Sequence, residues 1–263
     1  MSYWITRPLD DAKRLSELMQ AEGLTPVVSP LLDVDYPCPD LGLVPAQIGG
    51  LIATSRNGLR GAAVTSFSPE WLDLPLFTVG EGSADLARRF GFRDIRVGAG
   101  RASSLPDVIA SADLDTGLPL VHLCGDVQAF DLKAALAKQG VEVCGLQTYR
   151  IVEATRLTDK LISELKTGGI TAVVLMSPRT ARLYHRLMVE AELEDIMQGL
   201  RHFCLSDAVG AALATVYRES VVSETVRDEA GAEAAENQET LTISVARQPT
   251  VESVIEAMLA SER

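Results

Sequence analysis

Residues 51–55 read Leu-Ile-Ala-Thr-Ser, an apolar run that ends in two hydroxyl side chains, and a helical pattern follows over Arg56–Thr65. A short apolar run before a helix predicts a buried strand, with a strand-to-helix turn at Thr54 and Ser55. The pattern returns at residues 173–177, Val-Val-Leu-Met-Ser, again directly before a helical pattern. The two stretches therefore predict equivalent strand–turn–helix units in the two halves of the chain.

Short apolar runs alternate with helical patterns along the rest of the chain. The predicted strands are 3–6, 25–32, 51–54, 76–79, 94–97, 118–124, 141–152, 171–176, 202–205 and 241–245. The predicted helices are 9–22, 56–65, 82–90, 104–111, 129–139, 158–166, 179–190, 207–216 and 251–260. This alternation is typical of parallel sheets, so the predicted fold class is α/β.

Two further matches extend the internal repeat. Phe77-Thr78-Val79-Gly80 matches Phe203-Cys204-Leu205-Ser206, and Val108-Ile109 matches Val254-Ile255. The order of elements is the same in both halves, which favours two similar α/β domains. The spacing between matches grows by about 20 residues after the second one, so we expect an insertion at about 217–240. That stretch is acidic and has no clear apolar face, which indicates a solvated segment, disordered or loosely helical.

The composition excludes several classes of protein. The chain has 263 residues, 47% of them hydrophobic, which is enough for a sizeable core. A net charge of −12 and an aromatic content of 5% argue against binding nucleic acid or an anionic membrane. No run is long enough to span a membrane and no signal peptide is recognisable, so we expect a cytoplasmic protein. The four cysteines and three histidines lack metal-site spacing, which predicts reduced thiols and no metal.

Six strand-to-helix turns could form a binding site, because ligands of parallel α/β domains bind at the carboxyl ends of strands. They are Thr6-Arg7-Pro8, Thr54-Ser55-Arg56, Val79-Gly80-Glu81, Cys124-Gly125-Asp126, Met176-Ser177-Pro178 and Leu205-Ser206-Asp207. Helix N-termini favour carboxylates and phosphates, although Ser and Thr also cap helices without any ligand. Arginines lie at or just after strand ends and suggest a polyanionic small ligand, or an ordinary surface: Arg7, Arg56, Arg60, Arg101, Arg150, Arg179 and Arg182.

Residues 80–85, Gly-Glu-Gly-Ser-Ala-Asp, resemble a dinucleotide-binding turn. Asp85 occupies the third glycine position, where a side chain would disturb close packing of helix on strand. The motifs of a P-loop and of a serine nucleophile elbow are absent from the sequence. A nucleotide-dependent enzyme therefore stays a minor hypothesis.

The ordered set of motifs resembles the uroporphyrinogen-III synthase family. The residues that carry the resemblance are Ile5-Thr6-Arg7-Pro8, Pro30-Leu31-Leu32, Leu51-Ile52-Ala53-Thr54-Ser55, Val79-Gly80, Gly125, Thr148-Tyr149-Arg150, Ser177-Pro178 and Pro249-Thr250. The resemblance implies two parallel-sheet, flavodoxin- or Rossmann-like, three-layer domains joined by a two-stranded linker at Leu31–Tyr36 and Gln147–Ile151. It places one domain at 1–34 plus 153–263, carrying the insertion, and the other at 35–152.

The resemblance also implies an activity. Members of the family convert hydroxymethylbilane, a linear tetrapyrrole with eight carboxylates, to uroporphyrinogen III with inversion of the last pyrrole ring. They use no metal and no organic cofactor. Hydroxymethylbilane would be the small-molecule substrate, and a transient contact with hydroxymethylbilane synthase is left open. We expect no nucleic-acid or membrane partner, and nothing in the sequence argues against a monomer.

The same resemblance suggests which residues form the site. Tyr149 matches the family tyrosine proposed to assist departure of hydroxide, so we predict it as the catalytic acid. The predicted substrate-binding residues are Arg7, Thr54, Ser55, Gly80, Ser83, Gly125, Ser177 and Ser206. Catalysis would depend mainly on holding one conformation of a reactive substrate, which needs no Ser-His-Asp constellation.

The sequence departs from the family pattern at two places. Residues 206–209, Ser-Asp-Ala-Val, stand where the family often has Gly-Pro-Thr-Thr, and Cys124 replaces a frequent arginine. Asp207 would put negative charge close to a substrate carboxylate. The alternative hypothesis is therefore a non-catalytic two-domain protein that binds an anionic small ligand, a decayed paralogue of the synthase.

Overall fold

A computed structural model describes residues 1–37, 44–63, 68–112, 114, 117–128, 130–227 and 241–262. The strands are β1 (Ser2–Ile5), β2 (Thr25–Val28), β3 (Leu32–Asp35), β4 (Gly50–Ala53), β5 (Leu76–Thr78), β6 (Ile95–Val97), β7 (Leu120–Gly125), β8 (Val143–Glu153), β9 (Ala172–Leu175), β10 (Arg201–Cys204) and β11 (Thr242–Val245). The helices are α1 (Leu9–Ala21), α2 (Arg56–Ala63), α3 (Pro69–Leu72), α4 (Glu81–Phe90), α5 (Leu105–Ala110), α6 (Leu132–Ala137), α7 (Asp159–Lys166), α8 (Pro178–Glu190), α9 (Glu194–Gly199), α10 (Asp207–Arg227) and α11 (Val251–Ser261).

The chain folds into two compact units. One combines Met1–Asp33 with Val152–Arg263, and the other is Val34–Ile151. The chain passes from one unit to the other twice, once within β3 and once within β8. We call them the split unit and the inserted unit.

The split unit contains a parallel sheet with the strand order β11-β10-β9-β1-β2. Numbered within the unit, this is the flavodoxin-like order 2-1-3-4-5. Alternate residues of each strand face opposite sides. Tyr3 and Ile5 pack into a core with Leu15 of α1 and Val254 of α11. On the other side, Trp4 makes an edge contact with the ring of Tyr184 in α8.

The inserted unit contains a sheet with the order β3-β8-β7-β4-β5-β6. The strands β8, β7, β4, β5 and β6 pair in parallel, which is the Rossmann-like order 3-2-1-4-5, and β3 lies at the β8 edge. Leu51 and Leu76 face a core with α2 and α4, whereas Ile52 and Phe77 face one with α5 and α6. The predicted α/β fold class, with two similar parallel-sheet units, is confirmed.

The sequence repeat is visible in space. The repeated stretches lie on β4 and β9, on β5 and β10, and on α5 and α11. The pair β7-β8 then occupies in one sheet the place that β1-β2 occupies in the other. Chain order reverses direction between β4 and β7 in the inserted unit and between β1 and β9 in the split unit. Ligands of open α/β sheets bind at such switch points, outside the carboxyl ends of the strands.

Several element boundaries differ from the prediction. The predicted strand 25–32 is two strands, β2 and β3, because Ser29-Pro30 interrupts it and Pro30 has no N–H to pair. The predicted helix 207–216 extends to Arg227, packed along α8. The first part of the expected insertion is therefore helical, and residues 228–240 lie outside the described residues. The helices α3 and α9 were not predicted, since both are too short to show a period.

Buried His202 should make the stability of the protein pH-dependent. Its Nε2 lies 3.1 Å from Tyr184 Oη, and its Nδ1 lies 3.2 Å from the carbonyl oxygen of Thr242. Burial lowers its pKa to about 4, against an ordinary value of 6.5. As pH falls below 6.5 the unfolded chain is protonated first, so stability is full above that pH and decreases down to about 4. The expected loss is on the order of 3 kcal/mol.

Urea denaturation at pH 7.0, 5.5 and 4.5 tests this expectation. A His202→Gln variant, which cannot be protonated, should lose less stability over the same range than the wild type. Equal losses in the two proteins would show that His202 is not the group responsible.

Candidate functional site

Most of the predicted site residues of the inserted unit meet at its switch point, where β4 and β7 lie side by side. Thr54 and Ser55 follow β4 directly, Gly125 ends β7, and Tyr149 lies in the neighbouring strand β8. Because parallel strands end at the same edge of a sheet, residues far apart in sequence converge there.

Ser55 and Tyr149 are joined by a hydrogen bond. Ser55 Oγ donates to Tyr149 Oη at 3.1 Å, and the backbone N–H of Gly58 donates to Ser55 Oγ, also at 3.1 Å. Ser55 therefore caps the first turn of α2 while it contacts the phenol. Both side chains are half-buried, so the phenol is fixed in place and still accessible.

Gly125 allows the tyrosine ring to lie against the end of β7. The register between β7 and β8 shifts at this point, so that Gly125 faces Tyr149 rather than Thr148. A Cβ atom at Gly125 would lie 2.6 Å from Cζ of Tyr149 and 3.0 Å from its Oη. Any other residue would have to displace the ring, so glycine here is a requirement of the site.

Two glycines that the sequence analysis did not single out fix the position of α2. Cβ atoms at Gly58 and Gly61 would lie 2.4 Å from the Leu123 carbonyl oxygen and 1.9 Å from that of Thr148. Thr148 Oγ1 also donates to the carbonyl oxygen of Gly58 at 3.0 Å. The helix thus touches the sheet backbone to backbone, and this contact determines where Ser55 lies. The available signal was the Gly-x-x-Gly spacing within an otherwise helical pattern.

Thr54 is paired with a buried histidine. Its Oγ1 lies 2.9 Å from Nε2 of His122, a residue of β7 that is 3% exposed. Burial lowers the pKa of His122 to about 4, so the imidazole is neutral at physiological pH. His122 was not predicted as a site residue, because its partner lies on another strand and no local spacing marks it.

Gly80 and Ser83 lie at the end of the next strand, β5. Gly80 precedes the first turn of α4, where the N–H of Ser83 donates to its carbonyl oxygen at 3.1 Å. Ser83 is buried, and no hydrogen bond links either residue to Ser55 or Tyr149. These two residues therefore belong to the start of α4, at the end of the neighbouring strand, and are not part of the Ser55–Tyr149 contact.

The remaining predicted residues belong to the split unit. Arg7 forms an ion pair with Asp11 at 2.9 Å. Ser177 Oγ caps α8, accepting from the N–H of Thr180 at 3.1 Å. The carbonyl oxygen of Ser206 accepts the N–H groups of Val209 and Gly210 at the start of α10. These residues follow β1, β9 and β10, the strands equivalent to β7, β4 and β5.

Several of the arginines near strand ends are held by carboxylates. Arg150 pairs with Asp35, and Arg179 and Arg186 both pair with Glu153, whose carboxyl pKa they lower. These pairs offset charge that a polyanion could otherwise meet. Backbone N–H groups and hydroxyls at the helix starts are further groups at the two sheet edges that can bind an anion.

The part of the chain that the structure describes has neither a cluster of metal ligands nor a membrane-spanning helix. No three His, Cys, Asp or Glu side chains there are close enough together to hold a metal ion. Cys124, Cys144 and Cys204 are free thiols, and Cys38 lies outside the described residues. None of the helices in these ranges combines the length and apolar character needed to cross a bilayer.

The fold and the site define a protein of two parallel α/β units with polar groups at the switch point of each. A crystal structure of uroporphyrinogen-III synthetase from Helicobacter pylori matches it with a TM-score of 0.58 at 15% identity, over 90% of this chain and 92% of that one. A mutant uroporphyrinogen III synthase from Thermus thermophilus matches at 16% identity over 100% and 99% of the two chains, with a TM-score of 0.49. The fold assignment depends on the first of these.

A family model described as Uroporphyrinogen-III synthase HemD matches residues 13–233. The match covers most of the chain, so the protein belongs to the uroporphyrinogen-III synthase family. The resemblance identified from the sequence motifs is confirmed.

Proposed function

We propose that the protein is an active uroporphyrinogen-III synthase, which closes hydroxymethylbilane to uroporphyrinogen III with inversion of the terminal ring. The observation that carries the proposal is the Ser55–Tyr149 pair, joined at 3.1 Å at the switch point of the inserted unit. A fixed, half-buried phenol is the acid that loss of a hydroxyl group from the substrate requires.

In this mechanism Tyr149 acts on the leaving group. The pyrrole nitrogen lone pair expels the hydroxyl of the terminal hydroxymethyl group, and the phenol supplies the proton that lets it leave as water. The resulting azafulvene is attacked by the substituted carbon of the last ring, which gives a spiro intermediate and then the inverted ring. The net reaction loses one water and changes no oxidation state, so it requires no external oxidant or reductant.

The rest of the site would bind the substrate and hold its conformation. The azafulvene closes without an enzyme to the uninverted type I isomer, so positioning decides the product. We assign carboxylate binding to the hydroxyl of Thr54 and to the α4 start at Gly80 and Ser83, and close approach of substrate to Gly125. In the split unit we assign Arg7, Ser177 and Ser206 to the same task, since they stand at equivalent strand ends.

Two observations weigh against a ligand with eight carboxylates, and so favour the alternative of a non-catalytic protein that binds a less charged anionic ligand. Burial raises the pKa of the Cys124 thiol, so this side chain is neutral and brings no positive charge to the end of β7. Asp207 is exposed in the first turn of α10, beside Ser206. Both changes would weaken the attraction for a polycarboxylate.

A coupled assay separates the two functions. Hydroxymethylbilane is generated enzymatically, the protein is added, and the product is oxidised and resolved into type I and type III uroporphyrin. We expect type III to dominate. Type I alone, from protein shown to be folded, would overturn the proposed activity and leave the binding function.

We also propose that the protein works as a monomer in the cytoplasm and takes hydroxymethylbilane released by hydroxymethylbilane synthase. Light scattering on the purified protein should give the mass of one chain, 28.2 kDa. A co-elution experiment with hydroxymethylbilane synthase tests the transient contact, and addition of salt should abolish it if it is electrostatic.

A further inference from the structure

Thr54 and His122 form a buried pair whose hydrogen-bond direction can be argued from the structure. His122 is paired with Ile52 in the β4–β7 ladder. Thr54 lies two residues after Ile52, just past the end of β4, so its side chain is on the same side of the sheet. The Nε2 atom of His122 lies 2.9 Å from Thr54 Oγ1. Ile52 belongs to the apolar core on this side, where an imidazole is costly unless it is hydrogen-bonded.

The neutral imidazole carries one proton, on either Nδ1 or Nε2. Within the described ranges, Nδ1 makes no hydrogen bond, whereas Nε2 has Thr54 Oγ1 at 2.9 Å. A proton on Nδ1 would therefore lack a protein acceptor in a residue that is 3% exposed. A proton on Nε2 has a protein acceptor in Thr54 Oγ1, whereas a proton on Nδ1 has none within those ranges, which favours the Nε2–H tautomer.

This tautomer determines what Thr54 can offer to a ligand. If Oγ1 accepts from His122, the hydroxyl proton of Thr54 must point away from the imidazole. Thr54 is half-buried and follows β4 directly at the switch point, so the hydroxyl is available to a bound molecule. An outward O–H is a donor, and it suits a carboxylate.

We propose that His122 is a positioning residue that holds the Thr54 hydroxyl as a hydrogen-bond donor for one carboxylate of the substrate. The proposal rests on the proposed function for the identity of that substrate. His122 does not touch the ligand and acts only through Thr54. Its role in the apolar core is thus to fix a polar group at the core's edge.

Matched substitutions test the proposal. His122→Phe fills a similar volume and removes the N–H, whereas His122→Gln keeps an N–H near the position of Nε2. Thr54→Val removes the hydroxyl with little change in shape, and His122→Phe/Thr54→Val completes a double-mutant cycle. The first readout is the dissociation constant for uroporphyrin III, the oxidised product, which still carries the eight carboxylates. The second is the pair KM and kcat for type III formation.

We expect His122→Phe and Thr54→Val each to weaken binding of uroporphyrin III, and to raise KM, by about five- to tenfold, with kcat changed less than about twofold. His122→Gln should stay within about twofold of the wild type. The double variant should bind uroporphyrin III about as tightly as the more weakly binding of the two single variants, because both substitutions remove the same interaction. Nitrogen NMR of the imidazole should report the Nε2–H tautomer.

Three results would overturn the inference: an Nδ1–H tautomer, independent additive effects in the cycle, or unchanged binding in a folded His122→Phe protein. If His122→Phe does not fold, the binding constant of His122→Gln and the tautomer found by NMR test the role of His122 instead. A wild type that forms only type I product contradicts the proposed function, whereas the binding series and the NMR result still decide the role of His122.

Discussion

A Tyr149→Phe variant is expected to lose type III product, with the rate of its formation reduced by about 10²- to 10⁴-fold and type I becoming the main isomer. In the proposed mechanism the phenol supplies the proton for the leaving hydroxyl, and phenylalanine cannot. The ring itself should stay in place, because it packs against Gly125, where no Cβ intervenes. The change therefore removes the proposed acid and leaves the shape of the site, and the coupled isomer assay measures the result.

Tyr3→Phe is the matched control for this experiment. Tyr3 lies near the amino end of β1 in the split unit, away from the strand-to-helix turns of that sheet, and its hydroxyl donates to Glu262. Removing this hydroxyl should cost about 1 kcal/mol of stability and leave the isomer ratio unchanged. If Tyr149→Phe also retains the ratio and rate of the wild type, the acid must be sought elsewhere.

Much of the fold could be predicted because buried parallel strands consist of short runs of apolar residues. Residues 51–54 and 173–176 show the same apolar pattern in the two halves, and all but the last residue of each run lie in β4 and β9. The prediction was wrong about how one of these runs divides and about how far one helix extends. The break between β2 and β3 depends on a proline, and the extension of α10 depends on α8, which is a tertiary contact.

The candidate site was predictable where it depends on position along the chain, and hidden where it depends on register. Thr54 and Ser55 were found because they follow an apolar run. That Ser55 contacts Tyr149 rather than another polar side chain follows from the register shift opposite Gly125. His122 was missed for the same reason, because only strand pairing places it against Thr54.

The second large effect is expected for Gly61→Ala in α2. The added Cβ would lie 1.9 Å from the carbonyl oxygen of Thr148, a backbone atom that cannot rotate away. Rearranging side chains cannot relieve this clash, so the backbone of either α2 or β8 must move. We expect the variant to lose about 3 kcal/mol of stability, even though alanine favours a helix over glycine. Urea denaturation measures the loss.

Gly82→Ala in α4 separates this steric effect from helix propensity. Gly82 is also helical and in the same unit, but a Cβ there meets nothing within 4 Å, so the substitution should be neutral or stabilise by up to about 1 kcal/mol. A Gly61→Ala protein as stable as Gly82→Ala would mean that α2 does not rest on β8 as described. If instead Gly61→Ala is destabilised and also forms less type III product, the close contact has two consequences. It holds the helix against the sheet, and it sets Ser55 within reach of Tyr149, because Ser55 caps that same helix.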